Sequence, residues 1–157
     1  MENRERIAPA LGKIASGLYI ATARLEEGPI GMLCSFVEQA GFEPPMVSVA
    51  VGQGRPIIAA LDGPGVFGLH VLSKDNNALL KSFARGGGAE AFAGHELVEN
   101  AHGVPQLAEA WAFLLCKVTG KLSTGDHVVY VAEVLDGVLQ HEGQESMVRV
   151  RANGFSY

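Results

Sequence analysis

The segment His95-Glu96-Leu97-Val98-Glu99 begins like the zinc-binding helical motif HExxH. In that motif a second histidine, one helical turn later, shares the metal, but here Glu99 holds that position. Glycine and alanine precede His95, which makes this segment a poor helix. The five histidines show no other close pairing that suggests a metal site. We therefore expect a solvated loop around His95 and no metal.

The two cysteines and the triple glycine are the remaining candidates for chemistry. Cys34 and Cys116 lie in apolar runs without a CxxC pair, a nucleophile elbow or a neighbouring base, so we expect packed, reduced thiols. The run Gly86-Gly87-Gly88 lacks the lysine and hydroxyl of a phosphate-binding P-loop, and no GxGxxG follows a strand. A parallel nucleotide-binding fold is therefore not expected.

Length, composition and charge indicate what kind of domain holds these residues and which partners it lacks. The chain has 157 residues, 48% of them hydrophobic and 18% charged, which predicts one well-packed domain over residues 1–157. Its 20 glycines predict tight turns or backbone close to a ligand. A net charge of -5 without a basic run argues against nucleic acid and anionic membranes as partners. No stretch is apolar enough for a membrane span or a signal peptide, so we expect a cytoplasmic protein.

Periodicity predicts a mainly β fold. Short helices are expected over residues 7–15, 57–61 and 73–84, the last capped by Ser73, with an irregular loop over residues 85–106. Turns at residues 26–29 and 123–126 predict hairpins. The predicted strands are residues 18–23, 30–37, 46–51, 66–72, 111–122 and 127–135, with a short last strand at 147–150. Because strands and helices do not alternate, we predict a closed antiparallel barrel with helical insertions.

Three segments, taken together, resemble the flavin reductase-like family of FMN-binding split barrels. They are Gly31-Met32-Leu33-Cys34-Ser35-Phe36 running on to Glu43-Pro44-Pro45, Phe67-Gly68-Leu69-His70-Val71-Leu72-Ser73 followed by Leu79 to Ala84, and Gly125-Asp126-His127 leading into a valine-rich strand. The resemblance covers about residues 17 to 137 and implies a six-stranded antiparallel split β-barrel of Greek-key type with short helical insertions. Gly31-Met32, Gln39-Ala40 and Glu43-Pro44-Pro45 look most like the modules that accompany flavodiiron proteins.

The resemblance implies that one strand lies along the flavin ring. Its backbone N–H groups would meet the polar edge of the ring, while the Ser35 hydroxyl offers a further donor. Ser35 as an ordinary strand serine is the alternative. The ring-binding residues expected from this strand are Met32, Leu33, Cys34, Ser35 and Phe36.

The phosphate is expected at the turn that leads into the second helix, where Arg55 is the natural counter-charge. Ala91 stands where relatives often carry a basic residue, and Arg85 or Lys81 could compensate or could be exposed charges. The further cofactor-binding residues implied are Ala50, Gln53, Gly54, Arg55, Pro56, Lys81, Phe83 and Arg85.

His127 matches the family histidine near the reactive face of the flavin, so we expect it to be the catalytic residue that orients a nicotinamide. A purely structural role beside Asp126 is the alternative.

The implied function is a homodimeric FMN-containing oxidoreductase that takes hydride from NADH or NADPH and passes electrons to free flavin or a protein acceptor. Two alternatives stay open: an FMN electron carrier serving a rubredoxin or diiron partner, and a flavin-binding module without turnover. Trp111, Phe113 and Leu115 are the expected dimer contact.

Overall fold

The computed structural model describes residues 2–157, and side chains from residue 3 onward. Its helices are α1 (Glu2–Leu11), α2 (Ile58–Asp62), α3 (Asn77–Phe83) and a 3-10 turn (Ala89–Phe92). Its strands, in chain order, are β1 (Ser16–Gly17), β2 (Tyr19–Leu25), β3 (Gly28–Cys34), β4 (Val37–Phe42), β5 (Pro45–Gly52), β6 (Val66–Val71), β7 (Leu97–Val98), β8 (Gln106–Leu107), β9 (Ala112–Ser123), β10 (His127–Leu139) and β11 (Val148–Arg149).

Seven strands form one antiparallel sheet in the order β3-β2-β6-β9-β10-β5-β4. Its two edges, β3 and β4, are consecutive in the chain and separated only by Ser35 and Phe36. The sheet must therefore curl until its edges meet at that connection, and the Ala50 N–H donates to the Phe36 carbonyl there at 2.9 Å. No hydrogen-bonded ladder within residues 2–157 joins β3 to β4. The split barrel is thus confirmed, while the expectation of a closed barrel is corrected.

The six long predicted strands are all present, and β4 is a seventh that the sequence pattern concealed. β4 begins at the buried Val37, but Glu38, Gln39 and Ala40 are exposed because the strand pairs only with β5. An edge strand with so few buried positions lacks the alternation that periodicity detects.

Two predicted helices have different bounds. α1 begins five residues and ends four residues earlier than expected; after Leu11 the Gly12 N–H donates to the Ala8 carbonyl and the chain turns. α3 is shorter than predicted, and Asn76 rather than Ser73 precedes it. The Ser73 N–H donates to the Asn76 side chain at 2.9 Å, and Ser73 also forms an isolated bridge with the C-terminal region, so it lies outside the helix.

The core explains the reduced thiols and one buried histidine. Cys34 and Cys116 are buried and unpaired, as expected, and burial raises the pKa of each thiol to about 12. His70 is fully buried, with Nδ1 bonded to the Ile20 carbonyl at 3.0 Å and Nε2 accepting from the Leu107 N–H at 3.0 Å. Burial lowers the pKa of His70 to about 4. A neutral imidazole therefore ties β2, β6 and β8 together.

Two of the three residues expected at a dimer contact on β9 are covered by the chain itself. Phe113 and Leu115 are buried and pack with Val104 of the long loop, so the loop of the same chain covers the face that was assigned to a partner. Strand alternation separates the two faces of β9, but it does not show what covers each face.

Candidate functional site

A cavity of about 440 Å³ lies beside edge strand β3 and is the candidate site. Its volume is in the range of small-molecule and cofactor sites. Four parts of the chain and Leu18 line it; the four parts are β3 with Ser35, the end of β5 with the turn to α2, the end of α3 with the triple glycine, and the C-terminal region. The lining residues are Leu18, Ile30, Gly31, Met32, Leu33, Cys34, Ser35, Ala50, Gly52, Arg55, Pro56, Ile57, Phe83, Ala84, Arg85, Gly86, Gly87, Gly88, Arg149 and Tyr157.

The β3 wall combines apolar side chains with one available hydroxyl. Met32 and Leu33 are half-buried along the cavity, and Cys34 is a buried, protonated thiol. Ser35 is also buried on the cavity lining, and no hydrogen bond of its hydroxyl is found among residues 3–157. The wall can therefore take a flat apolar ligand and offer a hydroxyl to its polar rim.

The triple glycine, Gly86 to Gly88, also lines the cavity, and its backbone lies directly against β3. The Gly31 N–H donates to the Gly87 carbonyl at 2.7 Å. A Cβ atom at Gly87 would overlap the Gly31 carbonyl, so only glycine allows the two segments to approach this closely. Three consecutive glycines are the signal in the sequence for this role, and they lack the lysine and hydroxyl of a P-loop.

Three arginines, Arg55, Arg85 and Arg149, line the cavity and are exposed at its mouth. No salt bridge among the side chains of residues 3–157 uses any of them. In a chain with a net charge of -5, three arginines around one cavity give its mouth a local positive charge that can attract an anion. Arg149 lies on β11 and was missed, because its spacing from the other two arginines in sequence carries no signal.

The turn that carries Arg55 is fixed by the β9–β10 hairpin. The Gln53 N–H donates to the Asp126 carbonyl at 2.8 Å, and its side-chain amide donates to the Gly125 carbonyl at 2.6 Å. Gly54 has φ +80°, a conformation that favours glycine and redirects the chain at Arg55. Gln53 and Gly54 thus position Arg55 and do not themselves line the cavity.

His127 lies next to the cavity and not on its lining. Its Nδ1 bonds to the Asp126 carboxylate at 2.8 Å and its Nε2 to the Tyr157 hydroxyl at 2.5 Å. The bond from His127 holds the pKa of the Asp126 carboxyl below its usual range. Phe36 packs against both rings, with centroids 5.7 Å from His127 and 5.4 Å from Tyr157. Tyr157 does line the cavity and connects His127 to it.

The structure therefore brings most, but not all, of the predicted site residues to one cavity. Those on its lining are Met32, Leu33, Cys34, Ser35, Ala50, Arg55, Pro56, Phe83 and Arg85. Those outside it are Phe36, Gln53, Gly54, Lys81 and His127. Phe36 packs on His127 and Tyr157, while Lys81 is exposed. Of the two compensating cations considered, the structure brings Arg85 and not Lys81 to the cavity.

The expectation of a solvated loop at His95 is corrected. Its side chain is only 7% exposed, and it bonds to the Ser82 hydroxyl at 2.7 Å and to the Glu109 carboxylate at 3.0 Å. This bridge ties the long loop to α3, next to the cavity residue Phe83. Within residues 2–157 no group of three or more His, Cys, Asp or Glu residues could hold a metal ion.

The fold and the cavity define an antiparallel split barrel with an apolar wall and a cationic mouth. The chain belongs to the flavin reductase-like domain family, whose model matches residues 11–153. This match supports a flavin as the class of ligand. In the described part of the chain, no helix is long and apolar enough to cross a membrane.

A relative supports this membership, and two solved structures share the fold. The chain is 37% identical over 138 residues to Diflavin flavoprotein A 1 of Synechocystis sp., covering 85% of this chain and 24% of the relative. The chain thus spans about a quarter of the length of that relative. The NADH:FAD oxidoreductase of Streptomyces globisporus C-1027, in complex with NAD and FAD fragments, has the same fold, with a TM-score of 0.83, 23% identity and coverage of 95% of this chain and 89% of that one. The styrene monooxygenase flavin reductase of Pseudomonas putida S12 gives a TM-score of 0.77 at 24% identity, covering 90% of each chain.

Proposed function

We propose that residues 1–157 form one FMN-binding domain that acts as a flavin reductase, taking hydride from NADH or NADPH. The observation that carries this proposal is the arginine-lined cavity beside an apolar strand, in a chain of the flavin reductase-like family. The electrons would pass to a free flavin or to a protein acceptor.

The ligand would be held at two ends. Arg55, Arg85 and Arg149 would bind a phosphate through charge-assisted hydrogen bonds, since a terminal phosphomonoester carries nearly two negative charges on three oxygens. The negative charge of the phosphate favours binding of FMN over riboflavin, which lacks a phosphate. The short turn around Arg55 favours binding of FMN over the larger FAD. The β3 wall would hold the ring, with the Ser35 hydroxyl as a donor to its polar edge.

When bound, the flavin supplies the hydride acceptor. The chain's own contribution is to fix geometry, because hydride transfer needs close alignment of donor and acceptor more than it needs an acid or base. His127, fixed by Asp126 at the rim of the cavity, would orient the nicotinamide. Gln53 supports this arrangement indirectly, because it links the phosphate turn to the same hairpin.

The second candidate function is an FMN electron carrier that exchanges electrons with a rubredoxin or diiron partner. The similarity to a diflavin flavoprotein four times as long favours it, because a domain in such a chain can exchange electrons with another redox centre. Homodimerisation and a cytoplasmic location stay predictions from the sequence. Because Phe113 and Leu115 are buried, a dimer interface would have to use another surface.

Anaerobic mixing of the FMN-loaded protein with NADH and with NADPH tests the proposal. We expect flavin absorbance to bleach with at least one nucleotide, and His127→Ala to slow this reduction roughly tenfold to a hundredfold. Reduction by dithionite, which needs no nicotinamide docking, is the control and should not change. Fast electron exchange with a reduced protein partner but no bleaching by either nucleotide would favour the carrier. FMN binding with neither reduction by a nucleotide nor electron exchange with a protein would support the third alternative, a flavin-binding module without turnover.

A further inference from the structure

The last ten residues form a strap across the surface between α1 and the cavity. We call residues 148–157 the C-terminal strap. β11 pairs with β1, the Arg151 N–H donates to the Gly12 carbonyl at 2.9 Å, and the Gly154 N–H donates to the Ala8 carbonyl at 2.7 Å. The Arg4 guanidinium lies 4.2 Å from the centre of the Phe155 ring. The strap is thus held by a few bonds along its length.

Two glycines allow the strap to approach α1 closely. A Cβ atom at Gly12 would overlap the Arg151 carbonyl, and one at Gly154 would overlap the Leu11 side chain. The Arg151 guanidinium also donates to the Ser156 carbonyl at 3.1 Å and lies 5.0 Å from the centre of the Phe36 ring. These contacts direct the end of the strap towards the rim of the cavity.

Tyr157 at the end of the strap occupies the free nitrogen of His127. A carboxylate only accepts hydrogen bonds, so the bond to Asp126 places the proton on Nδ1 of the neutral imidazole. In this neutral form Nε2 carries no proton and accepts from the Tyr157 hydroxyl at 2.5 Å, whereas an imidazolium would donate to the same oxygen, so Tyr157 engages Nε2 in both forms. Both ring nitrogens of His127 are therefore engaged within the chain, and neither is available to a substrate while Tyr157 stays in place.

Tyr157 is nevertheless weakly held. It remains 55% exposed, and its described side-chain contacts are the bond to His127 and the ring packing against Phe36 and His127. It lines the cavity together with Ser35 and Arg55, so it occupies space beside the proposed ring site. A planar ligand that approaches His127 from the cavity would have to displace it.

We propose that Tyr157 is a displaceable cover over His127 and that binding of the nicotinamide requires its release. This inference rests on the proposed function, because it assigns the regulation of nicotinamide access to the same site. A single neutral hydrogen bond changes an equilibrium by a factor of about 2 to 10. The strap thus lowers the apparent affinity for the hydride donor by that factor.

Tyr157→Phe tests this proposal because it removes the donor but keeps the ring against Phe36. In the FMN-loaded protein we expect reduction at subsaturating NADH or NADPH to become about 2 to 10 times faster, with dithionite reduction unchanged. Phe155→Ala, which loosens the strap from Arg4, should act in the same direction. Tyr19→Phe is the matched control, since Tyr19 does not line the cavity and no hydrogen bond of its hydroxyl is found among residues 3–157, and it should leave the rate unchanged.

A second readout does not depend on turnover. Modification of histidines by diethyl pyrocarbonate, followed by mass spectrometry, should become faster at His127 in Tyr157→Phe, with the exposed His102 as internal reference. Unchanged labelling of His127, or reduction no faster than in the wild type, would overturn the cover while leaving the proposed function intact. If neither nucleotide reduces the wild type or the variant, the proposed function itself fails, and the cover fails with it.

Discussion

Removing Arg55 should weaken binding of FMN while leaving binding of riboflavin nearly unchanged. Arg55 lines the cavity at its mouth, is exposed, and forms no salt bridge among the side chains of residues 3–157. Its guanidinium is therefore free to pair with a phosphate, and a charge-assisted hydrogen bond of this kind contributes about 1.5 to 3 kcal/mol. Because Arg85 and Arg149 line the same cavity, the loss of one arginine should fall near the lower end of that range.

The expected result is a dissociation constant for FMN about tenfold higher in Arg55→Ala, measured by quenching of flavin fluorescence at fixed ionic strength. Lys81→Ala removes the same charge from a residue outside the cavity and serves as the comparison. Riboflavin should bind the wild type and both variants within about a factor of two. An equal loss of affinity for FMN and riboflavin in Arg55→Ala would refute the reasoning, because Arg55 would then act on the ring or on folding.

Two further predictions concern stability and the glycine wall. Because the folded pKa of His70 is lowered to about 4 from its ordinary 6.5, the unfolded chain binds a proton that the folded chain does not between these values. The free energy of unfolding should therefore fall as pH drops from about 6.5 to 4, by up to about 3 kcal/mol, in denaturant titrations. His70→Gln should lose that part of the pH dependence, and an unchanged slope would contradict the assignment. Gly87→Ala should lower the free energy of unfolding by about 1 to 3 kcal/mol and weaken FMN binding, since its Cβ would overlap the Gly31 carbonyl. Gly120→Ala is the control, because a Cβ atom there meets nothing within 4 Å, and it should change neither the free energy of unfolding nor FMN binding. If Gly87→Ala and Gly120→Ala behave alike, the close approach of Gly87 to Gly31 is not the cause of the effect.

Local sequence signals predicted much of the barrel. The hairpin turn over residues 123–126 and the long strands on either side of it were predictable because turn residues and β-branched runs are local signals. β4 was not, since an exposed edge strand leaves only Val37 buried to mark it. The role of Phe113 was misassigned because its cover, Val104, comes from a loop distant in sequence.

Some residues of the candidate site could be expected from the sequence, and others could not. Met32, Ser35 and Arg55 were expected through the family resemblance, and the structure brings them to one cavity. Arg149 and Tyr157 were missed because the C-terminal strap returns to the cavity through short contacts with residues distant in sequence, among them the two-residue pairing of β11 with β1. No periodicity or motif in the sequence could indicate such a return.

The identity and amount of flavin bound to residues 1–157 decide whether the cavity is an FMN site. We predict that the protein, saturated with flavin and freed of excess, releases FMN on denaturation at about one molecule per chain, as measured by reversed-phase chromatography. In a competition with equimolar FAD and riboflavin, FMN should be the flavin retained. A chain that binds no FMN at micromolar concentration, or that retains riboflavin as well as FMN, would contradict an FMN site with a phosphate-binding mouth.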